Sequence, residues 1–206
     1  MPRPDPDPEF PALVLIDTRE QLPYQFAHVA ADAEHGGGFW RVRTEVRGIP
    51  SGDYSLDGFA DRVAVERKSV GDLFGTIGAG RDRFVRELER LDAMPYAAVV
   101  VEGDWREVTG TWPTELAALR AGLVAAAEAD GPIASAPWAQ WLKLLDAATP
   151  GPPARSKLPP RIVYRSVIAW QQRYPRVHWW FCPSRAFAEV TTFRIFERFL
   201  KEQAGK

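Results

Sequence analysis

Sixteen residues, Asp53 to Lys68, hold the densest set of reactive side chains in this sequence. On a strand, residues two apart share a face, so Glu66 and Lys68 project together and Arg67 points to the opposite side. Asp53 ends a Gly52 turn just before the preceding short strand, and it can return beside them. Two carboxylates and a lysine at one sheet edge make an oxygen-donor site for a hard divalent cation such as Mg²⁺, with Mn²⁺ as substitute. Such an ion needs only one or two carboxylates plus substrate phosphate. The lysine can position or acidify an attacking water while the cation polarises a phosphoryl oxygen. Asp17 and Glu20, at the end of the first apolar run, are further acidic candidates, and Asp17 joins Asp53 and Glu66 as a candidate metal ligand. The bare pattern is weak by itself, because acidic and basic residues alternate on many exposed strands.

These residues need a sheet to position them. Ala12 to Ile16 reads as a buried strand ending at Asp17, and Phe39 to Val46 as a half-buried strand with Trp40, Val42, Thr44 and Val46 turned inward. Tyr54–Leu56 and Arg62–Lys68 follow as strands. Arg81–Asp92 is helical, with Phe84, Val85, Leu88 and Leu91 in one apolar stripe and Arg83, Arg86, Glu87 and Arg90 outside. Ala97–Val101 reads as a central strand. Helices are expected over 114–129, 135–147 and 161–173, then a strand over 177–181 and a last helix from the N-cap Ser184 to about Lys201. Strands followed by alternating helix and strand give an α/β fold, a mixed central β-sheet flanked by helices. The Gly-rich stretch 75–80 lacks Gly-Lys-[Ser/Thr], so it is no nucleotide P-loop and no nucleotide cofactor is expected; it reads as a loop near the substrate.

Composition sets outer limits. The 206 residues carry 26 basic and 27 acidic side chains, a net charge of −1. The total hides an asymmetry: from Arg155 onward eleven residues are basic and three acidic, so the C-terminal third can offer a positive surface. One cysteine, Cys182, and three scattered histidines argue against a disulfide scaffold or a zinc site. No apolar run approaches the ~18 residues of a membrane span, so a soluble, cytoplasmic protein without membrane contact is expected.

Read in order, Ile16-Asp17-Thr18-Arg19-Glu20, Gly52-Asp53-Tyr54, Glu66-Arg67-Lys68-Ser69 with Asp72-Leu73, Gly80-Arg81 and Val101-Glu102 resemble the nuclease domain of XPF-family structure-specific endonucleases, including archaeal Hef, a branch of the PD-(D/E)XK superfamily. The resemblance implies a restriction-endonuclease-like core over 12–104 and 161–203, with 1–11 a flexible Pro-rich tail and 105–160 a helical insertion containing a Pro-rich linker. It implies a divalent-metal-dependent endodeoxyribonuclease acting at branched or flapped DNA in repair or recombination. Asp53 and Glu66 would hold metal, Lys68 would be the catalytic lysine, and Asp17, Glu20 and Arg67 would complete the site. Arg19, Arg67, Arg81, Arg83 and Gly80 would meet DNA phosphates, and Asp72 would orient a basic group. In the last helix Phe187, Val190, Phe193, Phe196, Phe199 and Leu200 exceed one packing face, so it is either deeply buried or joins two subunits, and the resemblance implies a homodimer there. The competing reading is a non-catalytic DNA-binding or scaffold subunit; retention of Asp53, Glu66 and Lys68 argues against it.

Overall fold

The computed structural model describes residues 7–109 and 158–205. The helices expected over 114–129 and 135–147, and most of the insertion, lie outside them. The strands are β1 (Glu9–Ile16), β2 (Arg41–Val46), β3 (Tyr54–Leu56), β4 (Val63–Ser69), β5 (Tyr96–Glu102) and β6 (Val177–Phe181). The helices are α1 (Val70–Ile77), α2 (Arg81–Asp92), α3 (Trp105–Thr109), α4 (Pro160–Arg173) and α5 (Arg185–Ala204). The strands form one mixed sheet in the order β2-β1-β3-β4-β5-β6. β3 is antiparallel to both neighbours, while β4, β5 and β6 run parallel. The α/β reading of the sequence therefore holds.

Two apolar layers cover the sheet. Phe10, Val14, Tyr54, Val65, Phe193 and Phe196 pack on the α5 side, and Leu73, Phe84, Leu88, Val99, Val167 and Trp170 on the side of α1, α2 and α4. β5 is buried from Ala97 to Val101, as its uninterrupted apolar run requires of a strand covered on both faces. Helix starts follow the chemistry of their caps. The Ser69 hydroxyl accepts from the Asp72 amide, the Ser184 hydroxyl from the Phe187 amide, and Pro160 fills the first turn of α4.

Three expectations need correction. β1 begins at Glu9, inside the presumed tail: Phe10 is 1% exposed and packs on Trp40 and Phe193. Pro11, with no amide to give a ladder, sits where the β1–β2 register shifts between Glu9 and Leu13. β2 is not half-buried. It is an edge strand with Val46 64% exposed, so its alternating sequence marks the rim of the sheet. The Gly-rich stretch is not all loop either, since Gly75, Thr76 and Ile77 complete α1 and only Gly78–Gly80 turn toward α2.

Candidate active site

The C-terminal end of β4 opens into a cleft of about 520 Å³ lined by Asp53, Glu66, Lys68, Arg19, Gln21, Gly52, Thr76, Arg83, Phe84, Glu87 and Arg90. Asp53 reaches it because the Gly52 turn folds onto β4: the Asp53 amide donates to the Val65 carbonyl at 2.8 Å, and an Asp53 carboxylate oxygen accepts the Arg67 amide at 2.7 Å. Only glycine serves at 52. Its φ is +78°, and a Cβ there would stand 3.0 Å from the Val65 carbonyl oxygen. The Lys68 ammonium lies 2.5 Å from a Glu66 oxygen and 4.9 Å from the centre of the Phe84 ring.

Burial dominates the electrostatics. It pushes the Asp53 carboxyl well above the usual range, and the adjacent Glu66 adds to the shift. Burial also pushes Glu66 up, with Lys68 pulling against it. Lys68 loses solvation too, yet Glu66 and then Asp53 hold its ammonium charged. Two crowded carboxylates with one close ammonium form an under-neutralised oxygen-donor set. A hard divalent cation fits there by its ligand chemistry and by the charge it would supply.

Other expected site residues stand elsewhere. Asp17 is 1% exposed and does not line the cleft. Its oxygens are taken by the Arg19 amide and guanidinium and by the Ile49 amide at 3.0 Å. Burial pushes Asp17 up, but Arg19 and the Ile49 amide hold it below the ordinary aspartate value, so it acts as an anchor for the 17–20 turn and not as a free ligand. Arg67 and Glu20 lie behind the strand, because residue 67 faces opposite to 66 and 68. The Arg67 guanidinium grips Glu102 through two bonds, at 2.7 and 2.8 Å, and reaches Glu20 at 3.3 Å. Arg81 donates to the Ser166 hydroxyl at 2.9 Å and lies over Trp170, tying α2 to α4. Gly80 precedes α2 with Thr76 Cα against it and does not border the cleft. Asp72 accepts the Ser69 hydroxyl at 2.6 Å, closing the start of α1, and its charge adds to those of Glu66 and Asp53 in holding Lys68 cationic.

The structure adds side chains that sequence reasoning left as a solvated helix face. Glu87 accepts the Gly52 amide at 3.0 Å and pairs with Arg90, whose guanidinium donates to the Ser51 hydroxyl at 3.2 Å. α2 thus holds the turn that delivers Asp53. The signal was the i, i+4, i+7 spacing of Arg83, Glu87 and Arg90 beside the Gly78–Gly80 turn. Away from the cleft, Asp32, Glu34 and His35 offer ligand atoms within 4.8 Å of one another. Arg194 and Lys201 already pair with Asp32 and Glu34.

The ERCC4 domain model matches residues 16–192, from the end of β1 into α5, and takes in every residue that lines the cleft. The chain belongs to the ERCC4-domain family. The fold agrees with that assignment. XPF from Aeropyrum pernix superposes with a TM-score of 0.53 at 17% identity, covering 94% of this chain and 64% of that one. XPF from Aeropyrum pernix in complex with DNA superposes with a TM-score of 0.50, also at 17% identity, covering 93% and 66%. The ERCC4 domain described here therefore spans about two thirds of the XPF chains it matches. No curated protein matches the sequence. The fold of the ERCC4 domain is that of an XPF-type nuclease domain, and no helix among the described residues is long and apolar enough to cross a membrane.

Proposed function

We propose that this ERCC4 domain is a divalent-metal-dependent DNA endonuclease that hydrolyses phosphodiester bonds at branched or flapped structures, with Asp53, Glu66 and Lys68 as its catalytic residues. The convergence of those three side chains in one cleft with Arg19 and Arg83 carries the reading. Asp53 and Glu66 would hold the cation, which when bound neutralises charge on the phosphoryl oxygens. Lys68, kept cationic by Glu66, orients the attacking water and hydrogen-bonds the oxygen that becomes bonded to phosphorus. The attacking water gives up a proton to bulk solvent as its oxygen bonds to phosphorus, the P–O bond to the leaving sugar breaks in line, and the sugar oxygen takes up a proton from solvent. Arg19, 66% exposed at the mouth, and Arg83 bind phosphate oxygens and oppose the charge that builds in the transition state. Family membership and the DNA-bound XPF relative support a DNA substrate. A role in repair or recombination, and an intracellular setting, follow from the same resemblance.

The test is cleavage of labelled flap, fork, nicked, single-stranded and plain duplex DNA in Mg²⁺, Mn²⁺ or EDTA. Metal-dependent cutting near the branch is expected. Binding without cutting under either metal would instead favour a scaffold subunit.

A homodimer through α5 belongs to the same proposal. Phe193 and Phe196 are buried in the core, whereas Phe187 is 54% and the neighbouring Trp180 46% exposed. With Pro95, Val190, Ile195 and Phe199 they line an apolar groove. Large contiguous apolar patches of this kind mark interaction sites. Light scattering at micromolar concentration is expected to give twice the chain mass, and Phe187→Glu the monomer mass. A monomeric parent protein would remove the dimer.

A further inference from the structure

The cleft has an acidic floor, so a polyanionic strand needs positive charge along its approach. α2 supplies it. Arg83 and Arg86 are exposed, and neither makes a hydrogen bond or ion pair among the described residues. Arg90 uses Glu87 and Ser51 on one side and leaves its side chain 49% exposed. At about 100° per residue these three arginines fall within roughly 60° of arc, with Arg83 and Arg90 bordering the cleft and Arg86 beside them just outside it, away from the buried stripe of Phe84, Leu88 and Leu91. At a rise of about 1.5 Å, Arg83 and Arg90 stand about 10 Å apart along the axis. One strand of a duplex carries a phosphate every ~3.4 Å of axis, so that length faces about three of them.

We propose that Arg83, Arg86 and Arg90 form a phosphate ladder that holds one DNA strand as it enters the cleft at Asp53 and Glu66. The ladder rests on the nuclease reading for its ligand. It goes beyond that reading by assigning the path of the strand, and by giving Arg86, which does not border the cleft, a binding role. Among the acidic residues of α2, Glu87 alone pairs with the ridge, through Arg90. Asp82 has no ion pair with Arg86, Glu89 faces Arg173, and the Asp92 carboxylate accepts the Arg176 amide. The planar guanidinium suits phosphate oxygens better than a point charge would. The interaction carries no base information, so it should be independent of sequence.

The test is equilibrium binding of a fluorescent flap DNA in Ca²⁺, measured by anisotropy over a salt series. Each phosphate contact adds about 0.9 to the slope of log affinity against log salt. Arg83→Gln and Arg86→Gln should each lower that slope by about 0.9 and weaken binding alike on unrelated sequences. The double variant should lower it by about 1.8. Mn²⁺ binding to the cleft, read by titration calorimetry, should stay unchanged in Arg86→Gln, which separates the ladder from damage to the fold. Arg43→Gln, on the edge strand and paired with Glu9, is the control and should keep the parent slope. A parent slope in the double variant, or an equal loss in Arg43→Gln, would overturn the ladder while leaving the nuclease reading intact. Absence of DNA binding by the parent protein would overturn both.

Discussion

Asp53→Asn is expected to abolish metal-dependent cleavage, lowering single-turnover rates by ~10³-fold or more, while leaving the metal-free protein as stable as the parent or more so. Stability and activity part here because of where the charge lies. Asparagine keeps the oxygen that accepts the Arg67 amide, so the Gly52 turn retains its fastening to β4. What disappears is a buried carboxylate whose ionised form is opposed by burial and by Glu66. Removing it relieves the apo protein and deprives the cation of a ligand, a trade-off common at functional sites. Melting curves in EDTA should give an equal or higher Tm for Asp53→Asn. Added Mn²⁺ should raise the parent Tm and not that of the variant, since only a ligand bound to the folded state stabilises it. Lys68→Met should lower the rate by about 10²–10³-fold, the cost of removing one positioned hydrogen-bond donor. It also removes the positive charge that pulls against burial at Glu66, so that carboxyl shifts further up. Cleavage at a tenth of the parent rate in either variant would remove that residue from the catalytic set.

The convergence of Asp53, Glu66 and Lys68 was legible in the sequence because it depends on local periodicity. Glu66 and Lys68 share a face by strand alternation, the Gly52-Asp53 turn announces a tight reversal, and the stripe of α2 reproduces Arg81–Asp92 without adjustment. Three kinds of feature were not legible. Whether a strand lies at an edge depends on partners distant in sequence, so the alternation in β2 looked like burial. Whether a carboxylate is free depends on what closes over it. Asp17 seemed a ligand until the Ile49 amide, on a later loop, took one of its oxygens. The role of Glu87 requires helix α2 to dock against the turn before Asp53, a contact thirty-five residues long. In each case the residue type was right and the tertiary partner decided its use.

The same lesson gives Arg67 its largest consequence, since its side chain acts behind the cleft and not in it. Arg67, Glu102 and Glu20 have side chains only 9%, 9% and 6% exposed, and Arg185 adds a second cation on Glu102 at 2.8 Å. Arg185 also donates to the Leu22 and Pro23 carbonyls, so one network ties the turn bearing Arg19 and Gln21 to β4, β5 and α5. Arg67→Met keeps bulk but leaves Glu20 without its cation and Glu102 with Arg185 alone. Breaking a buried pair from one side costs about 3–5 kcal/mol. At about 2–4 °C per kcal/mol for a domain of this size, Tm should fall by roughly 6–20 °C. Arg67→Met with Glu102→Leu should recover part of that loss, because removing both partners leaves less charge without a counter-ion. Acid should act on the same network. Burial pushes Glu102 up, but Arg67 and then Arg185 outweigh it and hold the carboxyl below the ordinary glutamate value of 4.5. The unfolded chain then binds this proton more readily than the folded one. The contribution to stability is therefore complete above that value and lost as pH falls through the lower folded value. Melting curves from about pH 7 down to about pH 3 should show a steep acid limb in the parent and a shallower one in Arg67→Met. Equal acid limbs, or a Tm within ~2 °C of the parent, would show that Glu102 and Glu20 do not depend on Arg67.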